Sequence, residues 1–126
     1  MSHFTTVQTQ IKDIAAMRDA CRELGVELIE QTEARGYGSN KRYGDLVIKL
    51  KGPYDIAGIR QTDGSYELAT DWWGGYVEKE VGQGFGKLLQ LYGVCKAQAE
   101  AKRKGYTTRR QALKDGSIKI TIGGVR

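Results

Sequence analysis

The chain has 126 residues, 40% of them apolar and 28% charged, and a formal net charge of +5. That length gives one domain, residues 1–126, with a core large enough to stand without disulfides, and two cysteines are too few for a disulfide framework. The start MSHFTTVQTQ has no basic segment followed by an apolar one, and no apolar run nears the roughly 18 residues of a spanning helix, so neither a secretory nor a membrane-spanning chain is expected.

The charge is uneven. Residues 1–84 hold ten Lys/Arg against thirteen Asp/Glu, whereas residues 85–126 hold ten against only Glu100 and Asp115. Such asymmetry points to an anionic partner or to association of unlike faces.

Thr5, Val7, Thr9 and Ile11 alternate with polar residues and predict a strand over 3–11. Asp13 is placed to cap a helix with Ile14, Met17, Cys21 and Leu24 on one stripe, and Gly25 to stop it. VELIEQT (26–32) reads as a strand, EARGYGSNKRYG (33–44) as a loop, and DLVIKLK (45–51) as a strand ended by Gly52-Pro53. Residues 54–61 and 65–72 read as a hairpin across Asp63-Gly64, with Tyr66, Leu68, Thr70 and Trp72 on one face. Phe85, Leu88, Leu89, Tyr92, Cys95 and Ala99 form one helical stripe, which Gly105 stops. Asp115-Gly116 marks a last hairpin, with Ile118, Ile120 and Ile122 on one face. The expected fold is α+β: a two-layer sandwich, mostly antiparallel, two helices on one face, in the order β-α-β-β-β-β-α-β-β.

The chemistry is sparse. Gly82, Gly84 and Gly86 precede Lys87 and a helix, but Val81 stands where a phosphate loop needs glycine and Leu88 where it needs a hydroxyl. His3 is the one histidine, and Cys21 and Cys95 read as small buried thiols. No catalytic set, metal site or cofactor is expected.

Two features remain. Cations interleave with aromatics at Arg35, Tyr37, Lys41, Arg42 and Tyr43, and again at Lys102, Arg103, Lys104, Tyr106, Arg109 and Arg110. Such surfaces neutralise phosphate and stack bases, which makes these eight cations candidates for polyanion binding. In the Trp72-Trp73 pair, strand alternation sends Trp73 outward if Trp72 faces the core, so Trp73, Gly74, Gly75 and Tyr76 are the candidate protein-docking residues.

The pieces MSHFT, ARGYGSN, GDLVIKLKGPYDI, DGSY, TDWW, VEKEVGQ, LLQLYG and RRQALKDGSIKITIGG span nearly the whole chain. Together they resemble the conserved hypothetical chloroplast reading-frame family of cyanobacteria and red-algal plastids, a domain of unknown function. The resemblance implies a phototroph, a cyanobacterial cytoplasm or plastid stroma, and an adaptor or assembly role beside an AAA-type ATPase; it brings no catalytic residues. The leading expectation is a non-enzymatic accessory protein that binds a larger protein complex or such an ATPase through the Trp73–Gly75 region and the basic C-terminal face. An RNA-binding module using the basic residues is the alternative, and an enzyme comes third.

Overall fold

The computed structural model describes residues 3–125; Met1 and Ser2 of MSHFT, and Arg126, lie outside them. The order is β1 (Thr5–Gln8), α1 (Ile14–Leu24), β2 (Glu27–Arg35), β3 (Lys41–Lys49), β4 (Ile56–Arg60), β5 (Tyr66–Thr70), α2 (Tyr76–Val81), α3 (Gly86–Arg103), β6 (Tyr106–Ala112) and β7 (Ile118–Val125). The first five strands form an antiparallel sheet in the order β1-β5-β4-β3-β2, and β6 and β7 form a separate hairpin. The fold is α+β, with the two longer helices as expected. One short helix, α2, was not expected: it turns six residues between Gly75 and Gly82, too few for a periodic pattern to register.

Local chemistry accounts for the ends. The Asp13 carboxylate accepts the Ala16 N–H at 3.0 Å, and Gly25 closes α1 in the left-handed region at φ 75°. In both Asp-Gly-Ser loops the aspartate oxygen accepts the serine N–H and hydroxyl, at 2.9 and 2.6 Å. Gly64 and Gly116 supply the positive φ that each turn demands.

The inner face of the sheet carries Leu28, Leu46, Ile48, Ile56 and Leu68 against Met17 and Cys21 of α1, Val77 and Val81 of α2, and Leu88, Tyr92 and Cys95 of α3. The Tyr92 hydroxyl accepts the N–H groups of Lys12 and Asp13, both at 3.1 Å, and ties α3 to the start of α1. The α3 surface is apolar beyond its predicted stripe, because Val94 and Ala101 are also buried. They share a face with Gln90 and Gln98, whose side chains bond Gly116 and Thr108 of the last hairpin. That hairpin therefore packs on α3 and extends no sheet.

The outer face of the sheet holds small residues, Ala57, Ala69 and Val47, and all are buried. Their cover is the far half of the β2–β3 hairpin, which doubles back. Gln31 takes φ 54°, and beyond it the chain lies over the sheet. The Lys49 ammonium reaches the Glu33 carbonyl at 2.9 Å, and the Asp55 N–H donates to the Arg35 carbonyl at 2.9 Å. A Cβ on Gly44 would stand 3.2 Å from the Ala57 methyl, and one on Gly36 would stand 2.6 Å from the Phe4 ring. The expected loop over 33–44 is thus mostly strand, with only residues 36–40 as its tip. Gly36 and Gly44 serve close approach between layers, and Gly38, with open space about it, supplies the positive φ of the tip.

No described helix is long and apolar enough to cross a membrane.

Candidate docking site

The fold-back delivers the 36–40 tip to the corner that follows β5. Two buried aspartates hold it there. Asp55 is fully buried, and its carboxylate accepts the Arg35 backbone N–H (2.9 Å), two donors of the Arg35 guanidinium (2.9 and 2.8 Å) and the Leu50 N–H (3.1 Å), with the Lys49 ammonium at 3.4 Å. Burial pushes this carboxyl upward, but the Arg35 hydrogen bonds and the backbone donors of Arg35 and Leu50 outweigh it and hold the group below its ordinary value. Asp71, also fully buried, accepts the Tyr37 N–H at 3.2 Å through one oxygen and the Trp73 N–H at 3.0 Å through the other. One carboxylate thereby joins segments that lie 34 positions apart in the chain.

The corner separates its two indoles. Trp72 packs on the core, with its ring 4.7 Å from that of Phe85. Trp73 begins a 3-10 turn over Trp73–Gly75 and is 50% exposed. Strand alternation does not send it outward, because β5 has already ended at Thr70; the left-handed Gly74 and Gly75, both at φ 73°, turn the chain. Trp73 meets the Tyr37 ring edge-on at 5.2 Å and the Tyr76 ring at 6.3 Å. Tyr76 in turn stands edge-on to the buried Tyr54 at 5.5 Å. Burial and the Asp71 charge push the Tyr54 hydroxyl above its ordinary value. Tyr37 and Tyr76 are 41% and 37% exposed, so the three outer rings form one aromatic surface beside a shallow depression of about 530 Å³. Glu80 steadies the floor, its carboxylate accepting the N–H groups of Lys51 and Gly52 at 2.8 and 2.9 Å.

The candidate cations fall into two regions and two states. Arg35 is turned inward onto Asp55 and onto the Leu50 and Gly52 carbonyls, and Arg110 is held by the Glu23 carboxylate at 2.7 and 2.6 Å. Lys41 lines the aromatic depression and Arg42 lies near it on β3, half-exposed. Lys102, Arg103 and Lys104 are exposed at the end of α3, and Arg109 is exposed on β6. These six form no ion pair among the described residues. Cys21 and Cys95 are free and buried, and burial pushes their thiols up to about 12 and about 11. Sequence reasoning missed Tyr54, Asp55 and Asp71; the signal lay in GPYDI and TDWW, where an acid abuts an aromatic in an apolar setting.

The family model "Protein of unknown function (DUF1257)" matches residues 20–121. The chain belongs to this family. It is similar to "Uncharacterized protein ycf35" of Pyropia yezoensis, 32% identical over 126 residues, which covers 97% of this chain and 96% of that protein. It is also similar to "Uncharacterized protein ycf35" of Guillardia theta, 25% identical over 124 residues, with the same coverage. No solved structure matches. The resemblance read from the sequence thus holds, and both relatives carry a plastid reading-frame designation. Both halves of the aromatic surface, the 36–40 tip and the 71–76 corner, fall within the span matched by the DUF1257 model.

Proposed function

We propose that this DUF1257 protein is a non-enzymatic adaptor of a phototroph, working in a cyanobacterial cytoplasm or plastid stroma, that docks a larger protein complex through the Tyr37–Trp73–Tyr76 surface. The observation that carries this reading is the exposure of three neighbouring rings on two chain segments fixed by buried carboxylates. Large rings that can lie flat on a partner are the usual energetic centres of interfaces. An AAA-type ATPase is the partner class that the family resemblance adds.

Trp73→Ala is expected to weaken partner binding by about thirtyfold, the effect of losing an anchor worth roughly 2 kcal/mol. It should leave the melting temperature nearly unchanged, because Trp73 is half exposed, whereas Trp72→Ala should destabilise the fold. Affinity purification from the native host, with wild type and Trp73→Ala in parallel, measures this. Undiminished partner recovery by a folded Trp73→Ala protein would sink the reading.

The alternative, an RNA-binding module, draws support from Tyr43, 55% exposed and adjacent to Arg42, and from the unpaired cations about the end of α3. If about four cations such as Lys102, Arg103, Lys104 and Arg109 engage a single strand, the log–log salt slope should be roughly −3. RNase treatment separates the readings. Protein partners that survive it favour the adaptor, and loss of all bound material with the nucleic acid favours the module.

A further inference from the structure

A second depression lies away from the aromatic surface. A groove of about 950 Å³ runs between α1, α3 and β6. On the strand side it is lined by Tyr106, Thr107, Thr108 and Arg110. Tyr106, Thr108 and Arg110 share one face of β6 and Thr107 stands on the other, so the groove reaches both faces and wraps the strand's edge. The other edge of β6 is paired with β7, and none of residues 118–124 lines the groove. The edge that faces the groove therefore carries the N–H and C=O groups that β7 does not use. No described residue outside β7 forms a backbone hydrogen bond with residues 107–112. An open edge beside a groove is the arrangement into which an extended peptide adds as a further strand.

Charge selects the peptide. Within the groove, Glu23 is taken by Arg110 and Asp19 by Arg22. Lys102 has no ion-pair partner among the described residues, and Arg103, Lys104 and Arg109 stand exposed around the same end. The uncompensated charge is positive. A second copy pairing antiparallel through this edge, in a register centred between Arg109 and Arg110, would set each of these cations opposite the other's copy, and like charges facing each other across strands are destabilising. Ala99 in the floor leaves room for an incoming side chain.

We propose that this groove binds an extended acidic segment of a partner protein, added as a third strand on the free edge of β6. It is a second docking site, separate from the Trp73 surface.

The test uses the full chain and a ten-residue alternating valine–glutamate peptide, followed by amide NMR and hydrogen exchange. Expected are shifts and slowed exchange at residues 105–111. Binding should be lost when every peptide nitrogen is methylated, which removes the backbone donors, and when valine–lysine replaces valine–glutamate. Lys102→Glu, at an exposed position, should weaken binding roughly fivefold. Ala99→Phe should block the groove. Trp73→Ala should leave binding intact, so failure here and failure of the adaptor reading are distinguishable. Four outcomes overturn the proposal: no binding at millimolar peptide, binding that survives complete N-methylation, shifts confined to 36–41 and 73–76, or a self-associated dimer that the peptide disperses.

Discussion

Asp55→Ala is expected to lower stability by about 3 kcal/mol, chiefly the cost of leaving the Arg35 and Leu50 N–H groups without their acceptor, at roughly 1–3 kcal/mol for each buried unsatisfied donor. Against a total of roughly 5–15 kcal/mol for a domain, that is a large share. The reason is the number of groups it strands: the Arg35 guanidinium and N–H, the Leu50 N–H and the Lys49 ammonium all converge on one carboxylate. Thermal unfolding should show a fall on the order of 10–15 °C. The acid limb carries a second signature. The folded Asp55 carboxyl lies below its ordinary 3.8, so its contribution is complete above that value and is lost as pH falls through the folded one. Wild type should lose stability below about pH 4, and Asp55→Asn should lack that part of the loss. A variant that melts within a degree or two of wild type would show that the network adds little.

Phe85→Ala comes next, at about 3–5 kcal/mol for an emptied aromatic core site. Phe85 is fully buried against Trp72, yet it sits at φ 65°, a region that β-carbon-bearing residues avoid. Alanine keeps a β-carbon and so keeps the left-handed strain of about 1–2 kcal/mol, which leaves the cavity as the cost of this change. The same backbone supplies an internal control. Phe85→Gly leaves a similar cavity but suits the positive φ, so it should be more stable than Phe85→Ala. The reverse order, in paired denaturant titrations, would refute the strain at this position.

The sequence made the local devices legible and left the long-range ones hidden. The first helix was readable because Asp13 and Gly25 bracket an apolar stripe, and both Asp-Gly turns were readable because their chemistry is complete within a few residues. The stretch 33–44 read as a loop because glycine and polar residues dominate it. Its strand character comes from pairing across the tip and from packing on Ala57 and Ala69, which no local window contains. The sequence presents Arg35 as a cation for a polyanion, since Asp55 is 20 positions away and its burial cannot be read from composition. The sequence predicts an outward Trp73 by strand alternation, and the structure places it outward at a turn that two left-handed glycines follow. The meeting of Tyr37 with Trp73 depends on Asp71 and on the doubled-back hairpin together, and it could not be read at all.

The carboxylate anchoring of the tip has a consequence for association. A glycine-rich loop ordinarily gives up conformational freedom when it binds, and each ordered side chain adds about 0.5–1.5 kcal/mol of entropic cost. Here Tyr37 is held through its own N–H by Asp71, and the preceding Arg35 is held by Asp55. The rings are thus in place before any partner arrives. Binding at this surface resembles docking between rigid bodies, without a slow search by the loop. Differences in affinity among partners should then reside in how quickly complexes fall apart, not in how quickly they form.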